Sequence, residues 1–127
     1  MIHAIIDRLK TGSITNVYPK GDPVVNPIPP YIYVWQKSPV MQPGSDNYGK
    51  NFYIVSVHYP QGFINYLDDY IDTELMTLLH KFIATARDGR KVQLYLDGQG
   101  ISGLIEGNAD KTISKERQVT TAGIFGI

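Results

Sequence analysis

Residues 51–89, NFYIVSVHYPQGFINYLDDYIDTELMTLLHKFIATARDG, change from the pattern of a strand to the pattern of a helix within a few positions. The first ten are rich in β-branched and aromatic residues, which favour strands, and Pro60 and Gly62 close the run. Further along, apolar residues recur at steps of three or four, as in a helix that buries one face. We therefore predict a strand over 51–60, followed by a long helix with Gly89 as its C-terminal cap.

The apolar side of this predicted helix is long enough to cover a sheet. Its members are Leu67, Ile71, Leu75, Leu78, Leu79, Phe82, Ile83 and Ala86. Four acidic residues lie toward its beginning, where the helix dipole favours them: Asp68, Asp69, Asp72 and Glu74. Their spacing differs from that of a calcium loop, so a solvated helix surface explains them better than a metal site.

The remaining segments complete an α+β pattern. We predict a short helix over 2–10, a brief strand from Ile14 to Tyr18, and strands at 31–37, 91–97, around Ile101 to Ile105, and at 111–121. Five of the eight prolines lie in 19–30, which predicts an extended loop, and 38–51 is a long polar loop. We expect one domain, 1–127, with a mostly antiparallel sheet packed against one long helix plus the short N-terminal helix, in the order α, β, β, α, β, β.

Composition narrows the classes of function. The chain has 127 residues, 43% of them hydrophobic and 19% charged, which is typical of a folded domain. Twelve basic residues balance twelve acidic ones, so tight binding to nucleic acid or to an anionic membrane is not favoured. There is no cysteine, which excludes disulfides, thiolate zinc sites and a cysteine nucleophile. No stretch has the length of a membrane span.

The run GQGISG, Gly98 to Gly103, has the spacing of a dinucleotide-binding motif and follows a predicted strand. That motif needs a helix directly after its glycines, because the helix N-terminus holds the pyrophosphate. The following residues, LIEGNADKTISK, have no helical periodicity. We therefore interpret GQGISG as a glycine-rich turn between antiparallel strands and predict no nucleotide cofactor.

No other motif predicts catalysis or metal binding. The three histidines, His3, His58 and His80, lie in three different predicted elements, and no serine lies in a G-x-S-x-G sequence. We therefore predict a protein that is not an enzyme and that has no catalytic, cofactor or metal residues.

An aromatic strand is the clearest candidate for a binding surface. Alternation places Tyr31, Tyr33, Trp35 and Lys37 on one face of the strand 31–37. These rings could stack on bases, and KNFYIVSV, residues 50–57, matches an RNA-recognition motif at three of its eight positions. They could equally pack against a helix or another subunit, which zero net charge favours.

Several segments together resemble a known family. They are the PYIYVWQ strand after a proline-rich approach, the strand end HYPQG, the helix YLDDYIDTELMTLLHKF and the closing segment DKTISKERQVTTAGIFGI. This layout resembles the tail-terminator, or tail-completion, proteins of tailed bacteriophages, which are similar to head–tail joining proteins. The resemblance spans nearly the whole chain and rests on element order and on the closing segment.

The resemblance implies a structural protein of the virion. Such proteins form a ring, usually a homohexamer, that ends the tail tube and joins it to the neck or connector proteins below the head. Genome DNA passes through the ring without sequence-specific binding, and no cofactor, active site or membrane is involved. The protein would be made in the cytoplasm of the host bacterium and would end up in the tail or neck of the virion.

Candidate contacts between subunits come from two places. The first is the aromatic strand, with Tyr31, Tyr33 and Trp35, and the second is the closing AGIFGI, with Ile124, Phe125 and Ile127. Three large apolar residues there would be a liability in a monomer, so we expect removal of 123–127 to weaken the ring and leave the fold intact.

A second class of function stays open on the sequence alone. The chain could be a monomeric binding module, of RNA-recognition or protein-binding type, that uses its aromatic sheet face. The mass in solution separates the two hypotheses. The sequence does not distinguish a tail-side terminator from a head-side joining protein, and it does not assign a role to loop 38–51.

Overall fold

The computed structural model describes residues 1–21, 27–37, 51–86, 89–100, 105–107 and 112–123. In this part of the chain the elements follow the order α, β, β, β, α, β, β, β, β. The strands are β1 (Val17–Pro19), β2 (Tyr31–Lys37), β3 (Asn51–Pro60), β4 (Ile83–Thr85), β5 (Lys91–Gly100), β6 (Ile105–Gly107) and β7 (Thr112–Gly123).

Two helices accompany the strands. Helix α1 is Ile2–Leu9, and helix α2 runs over 64–79 as an α-helical part (Ile64–Asp69), a π-helical part (Tyr70–Leu75) and a final α-helical turn (Met76–Leu79). Two threonines bond to the backbone in and next to the π-helical part of α2. The hydroxyl of Thr73 donates to the carbonyl of Asp69, and the hydroxyl of Thr77 donates to the carbonyl of Thr73. Such bonds satisfy backbone carbonyls within the helix itself.

The sheet is mixed and is built around its two longest strands. Its order is β1-β2-β3-β7-β5-β4, and β6 pairs with β7 beside that path. Strands β3 and β7 pair antiparallel from Asn51 opposite Thr121 to Pro60 opposite Thr112, and β1 runs parallel to β2. The register shifts between Leu96 and Gly100, where β5 meets β7.

Both helices cover the same face of the sheet. From α1, the buried side chains are Ile5, Ile6 and Leu9, at the spacing that one face of a helix requires. From α2 they are Leu67, Tyr70, Ile71, Leu75, Leu78 and Leu79. They join Ile32, Val34, Tyr53, Val55, Val57, Leu94, Leu96, Ile113 and Val119 of the sheet in one core. This core defines an inner face, and no helix of the described residues covers the other face of the sheet.

The predicted long helix is too long at its C-terminal end. Helix α2 ends at Leu79, and Lys81 has a left-handed backbone with φ of 64°, which stops helical propagation. From that point the backbone pairs with β5: the amide of Lys81 donates to the carbonyl of Leu94 (2.7 Å), and the amide of Leu94 donates to that of Phe82 (2.8 Å). Phe82, Ile83 and Ala86 therefore do not lie on a helix, although their spacing continues the helical pattern.

The predicted element order α, β, β, α, β, β is accordingly wrong, although the α+β class holds. Strand β4 replaces the end of the predicted helix, and the predicted order leaves out the short strands β1 and β6, which both pair into the sheet. Gly89, expected as a helix cap, lies in the turn between β4 and β5 with φ of 85°, where its amide donates to the carbonyl of Ala86 at 3.0 Å. Glycine adopts this φ without the clash that a Cβ causes.

The glycine run has a strand on each side in the described residues. Gly98 and Gly100 belong to the end of β5, and β6 at Ile105–Gly107 pairs antiparallel with β7. A strand therefore follows where a dinucleotide-binding motif has a helix. Positions 101–104 lie outside the described residues, and so do positions 38–50 of the predicted long loop.

Candidate functional site

The face of the sheet that points away from the helices carries a group of aromatic side chains. Alternation along β2 sends Ile32 and Val34 into the core, and Tyr31, Tyr33 and Trp35 to the opposite side. The strand register extends this side across the neighbouring strands. We call it the outer face; its members include Tyr18, Tyr31, Tyr33, Trp35, Lys37, Phe52, Ile54, Ser56, His58, Gln93, Tyr95, Asp97, Ser114, Glu116, Gln118 and Thr120.

A cluster of rings forms where β2 meets β3. His58 stacks on Tyr31, with ring centroids 4.6 Å apart and planes 12° from parallel. Tyr33 stands edge-on to both, at 5.4 Å from Tyr31 and 5.8 Å from His58. On the other side of the imidazole, Nε2 of His58 lies 2.9 Å from the hydroxyl of Ser56. Ring stacking and this hydrogen bond hold His58 in one orientation.

A concave pocket of about 360 Å³ lies beside the ring cluster. Its lining residues are Lys20, Tyr33, Trp35, Ser56, His58 and Glu116. The ammonium of Lys20 lies 4.2 Å from the centroid of the Trp35 ring, which is a cation–π contact. Flat rings, one cation and one carboxylate line a single pocket, so it suits a small planar group or an inserted side chain.

The other half of the outer face is polar. Asp97 accepts hydrogen bonds from the amide of Gln118 at 2.8 Å and from the hydroxyl of Thr120 at 3.3 Å. The ammonium of Lys37 lies 3.4 Å from the side-chain oxygen of Gln118. These contacts tie β2, β5 and β7 together across the face. They resemble the cross-strand pairs of an ordinary sheet surface.

The structure brings Tyr31, Tyr33 and Trp35 together on the outer face, as the alternation predicts. Tyr31 is only 1% exposed, so its ring makes its contacts within the chain, whereas Tyr33 and Trp35 are half-buried. The other subunit-interface candidates, Ile124, Phe125 and Ile127, lie outside the described residues.

The histidines stay apart in the fold. His3 is exposed on α1, His58 lies on the outer face, and His80 follows α2, where its Nδ1 accepts a hydrogen bond from the amide of Leu96 at 3.2 Å. Within the described ranges, no three His, Asp or Glu side chains are grouped so that they could hold a metal ion. Of the acidic residues at the start of α2, Asp68 forms an ion pair with Lys115 of β7.

The edge strand β4 lies where the apolar spacing of the sequence predicts a helix. The amide of Leu94 donates to the carbonyl of Phe82, and the amide of Ala86 donates to that of Arg90. Even-numbered residues of this segment therefore face β5, and the backbone groups of Ile83 and Thr85 point outward from the sheet. Ile83 is 46% exposed. The β-branched pair at 83 and 85 was the available sequence signal for a strand here.

A groove runs along this open edge. It has a volume of about 360 Å³, and its walls are β4 and α1. The lining residues are Ala4, Asp7, Arg8 and Thr11 from the helix, and Phe82, Ile83, Ala84 and Thr85 from the strand segment.

The opposite edge of the sheet, β1, offers no such backbone donors. The amide of Ile32 donates to the carbonyl of Asn16, and the amide of Lys20 donates to the carbonyl of Val34, so the even-numbered residues of this segment bond to β2. The backbone groups of Val17 and Pro19 therefore point away from the sheet. The amide of Val17 already donates to the carbonyl of Thr15 at 3.1 Å, and proline has no amide hydrogen. Proline at an edge strand is one of the ways in which proteins prevent strand addition.

A second exposed apolar site lies at the start of α2. Phe63 is 46% exposed and Tyr66 62%, and their ring centroids are 5.5 Å apart. The Phe63–Tyr66 pair follows the end of β3, where Pro60 lies opposite Thr112 of β7. Ile83 lies near the other end of β7, because it is in register with Gln93 of β5, and Gln93 pairs with Ala122 of β7. Thr112 and Ala122 are separated by about 33 Å at the usual rise of a strand. The two apolar sites therefore lie at opposite ends of the sheet.

The described helices are too short and too polar to cross a lipid bilayer.

Comparison with known proteins supports the fold. No protein-family model and no curated protein matches the chain. A solved structure whose title gives no function superposes with a TM-score of 0.61 over 98% of this chain and 91% of the other, at 14% sequence identity. At that identity the similarity extends to the fold alone.

Proposed function

We propose that this chain is a structural subunit that assembles head to tail into a closed ring, with the tail-terminator proteins of tailed bacteriophages as the nearest functional class. The open edge of β4 supports this proposal most directly. Outward amides at Ile83 and Thr85 form a ready template for another strand, and proteins cover or block such edges. Ile83 adds an exposed apolar side chain at the same place.

The contrast between the two edges favours a ring over a symmetric filament of paired sheets. Of the strands at the two ends of the sheet order, β1 and β4, only β4 has outward amides among the described residues, so β4 of one copy cannot pair with β1 of the next in the ordinary way. The edge of β4 therefore calls for a different surface on the neighbour. Contacts between two unlike surfaces repeat from copy to copy, and they close into a ring when the rotation allows it.

The proposed ring fits the other properties of the chain. A formal net charge of zero suits a channel through which genome DNA slides, because many phosphate contacts would hold the DNA in place. The Phe63–Tyr66 pair lies away from β4 and so takes no part in the proposed contact there. It is therefore available to bind a tail-tube or neck protein along the ring axis. The proposed location is therefore the tail or neck of a virion.

The mass in solution tests this proposal. Light scattering on the purified protein should give about six times the chain mass of 14.2 kDa. Ile83→Lys places a charge at the open edge and should reduce the mass to that of a monomer. Ile28→Lys is the matched control, because Ile28 is even more exposed at 74% and lies away from β4. A 14.2 kDa species at every concentration, or a ring that Ile83→Lys leaves intact, contradicts the proposal.

A second candidate function is a monomeric binding module, and the pocket on the outer face is the observation that favours it. Trp35 is the only tryptophan of the chain and lines this pocket, so its fluorescence reports directly on an occupant. Titration of the monomer with single-stranded oligonucleotides or mononucleotides should change the emission if the rings stack on bases. Lys20→Ala should then weaken binding. A monomeric mass together with a saturable titration would favour this function over the ring.

A further inference from the structure

We infer that the groove between α1 and β4 receives residues 124–127 of a neighbouring subunit, which add to the sheet as a strand beside β4. The inference rests on the proposed ring and names the two surfaces that meet at each contact. The acceptor is β4 with the facing side of α1, and the donor is the segment IFGI that follows β7.

The acceptor has the backbone groups that strand addition needs. The hydrogen bonds from Leu94 to Phe82 and from Ala86 to Arg90 use the inward side of the segment. Ile83 and Thr85 therefore present their amides and carbonyls to the groove, at the two-residue repeat of an antiparallel ladder. An extended peptide can bind there through main-chain hydrogen bonds, as in other proteins that accept an added strand beside a helix.

The helical wall of the groove is held in place. The side-chain nitrogen Nε of Arg8 donates to the carbonyl of Leu78 at 2.9 Å, and its guanidinium lies 4.3 Å from the centroid of the Phe82 ring. These contacts join α1 to the end of α2 and to the residue before β4. The groove is therefore formed before any partner arrives, which lowers the entropic cost of binding.

The chemistry of the donor matches the groove. Residues 124–127 hold three large apolar side chains and no proline, and Phe125 and Ile127 fall on the same side of an extended segment. Apolar groups of Ala4, Phe82, Ile83 and Ala84 line the groove. Burial of apolar surface on both partners supplies the driving force, and the ladder sets the register.

Reach prevents residues 124–127 from forming this strand beside β4 of their own chain. Gly123 pairs with Val92 of β5, and Val92 pairs with Ala84 of β4, so the end of β7 lies two strands from β4. The position outside β4 is three strand spacings away, about 14 Å. Residues 124–127 extend over at most about 14 Å, which leaves these four residues no length to run along β4 of their own chain. In the inferred pairing they therefore add to β4 of a second copy.

A complementation experiment tests the pairing. One variant lacks residues 124–127 and so loses the donor. The other, Thr85→Pro, loses an outward amide of the acceptor but keeps the inward hydrogen bonds to β5. Thr85→Val is the matched control, because it removes the same hydroxyl, which accepts a bond from Lys91, and keeps the amide. The three variants and the wild type are compared by light scattering and circular dichroism.

The expected pattern is specific to a donor and an acceptor. Wild type and Thr85→Val form the ring, and each of the two other variants is a folded monomer, with a mass at or slightly below the 14.2 kDa of the full chain. Mixed in equal amounts, those two variants form a 1:1 complex of twice the chain mass, since the mixture contains one intact donor and one intact acceptor. A mixture that stays monomeric overturns the inference.

Other outcomes separate this inference from the proposed ring. If the variant without 124–127 still forms the ring, the inference fails and the proposed function stands. If the wild type is a monomer, the proposed function itself fails. If Thr85→Pro does not fold, a synthetic peptide of residues 121–127, TAGIFGI, is added to the variant without 124–127. Its binding should shift the amide NMR signals of Ile83 and Thr85, and unchanged signals overturn the inference.

Discussion

The two faces of the sheet are buried in different ways. On the inner face, α1 and α2 cover aliphatic side chains such as Val34, Val55 and Leu94. On the outer face no helix covers the described residues, yet Tyr31 is 1% exposed, and the imidazole of His58 stacks on its ring. Side chains of the sheet thus contribute to burial on the outer face.

This difference shows that alternation along a strand assigns residues to faces and leaves their burial undecided. Tyr31, Tyr33 and Trp35 share one face and one strand, yet the first is buried and the other two are half-buried. Their neighbours on β3 differ as well, because His58 lies opposite Tyr31, whereas the smaller Ser56 lies opposite Tyr33. The following predictions test the contrast between the faces, beginning with the largest effect.

The inner face should be the more costly to disturb. Leu79 is fully buried where α2 packs on the sheet, so Leu79→Ala leaves a cavity and should lower the free energy of unfolding by about 2–5 kcal/mol. Urea unfolding followed by circular dichroism measures the loss. Met76→Ala is the control on the exposed side of the same helical turn and should cost less than about 1 kcal/mol. Equal effects would show that the inner face is misassigned.

The outer face should show a graded response along β2. Tyr31→Ala removes a buried ring from the stack with His58 and should cost about 3 kcal/mol, near the range for other large aromatic residues. Tyr33→Ala removes a half-buried ring and should cost about 1 kcal/mol. The two variants are compared by the same unfolding method. A larger loss for Tyr33 would contradict the burial of Tyr31 within the chain.

A buried phenol on α2 gives the inner face a pH dependence. Burial raises the pKa of Tyr70, the nearby charge of Glu74 raises it further, and its hydroxyl has no hydrogen-bond partner among the described residues. The folded state thus holds this proton above pH 10, where a tyrosine in the unfolded chain loses it. Its contribution is fully present below about pH 10 and is lost as the pH rises further.

Tyr70→Phe should therefore flatten the alkaline loss of stability. Above about pH 10 the variant should lose up to about 1.4 kcal/mol less per pH unit than the wild type. At neutral pH the two proteins should have similar stability, because the variant also removes a buried hydroxyl without a partner. Unfolding curves between pH 7 and 11.5 measure both effects. Parallel curves for the two proteins would contradict the burial of this phenol.

The smallest effect is a gain at the end of α2. Lys81 has a left-handed backbone, which costs a residue with a Cβ about 1 kcal/mol relative to glycine. Lys81→Gly should therefore raise the free energy of unfolding by up to about 1 kcal/mol. Lys81→Ala keeps the Cβ and should change it by less than about 0.5 kcal/mol. A loss in Lys81→Gly would show that this backbone conformation does not terminate α2.

Local patterns predicted much of the inner face. The strands at 31–37 and 51–60 are confirmed with those bounds, as is a helix that buries Leu67, Ile71, Leu75, Leu78 and Leu79. Each of these follows from side chains that alternate or recur along one element, which neighbours in sequence specify. The grouping of Tyr31, Tyr33 and Trp35 on the candidate site follows from the same rule.

Partners that are distant in sequence decided the rest. His58 and Lys20 complete the outer-face pocket, and neither has a local pattern that places it beside Trp35. The same holds for the groove between α1 and β4, which joins residues 4–11 to residues 82–85.

In the segment from Phe82 to Ala86, the local sequence pattern and the tertiary structure give different secondary structures. Its apolar spacing continues the helix of residues 64–79, and by local preference it predicts two more helical turns. In the fold, hydrogen bonds with β5 convert it into the edge strand β4. The amino-acid sequence by itself determined the α+β class, the faces of β2 and β3 and the buried side of α2, because neighbouring residues specify these features. Only the tertiary structure decided the end of α2, the open edge and its groove, because a backbone pairs with whichever strand packing brings beside it.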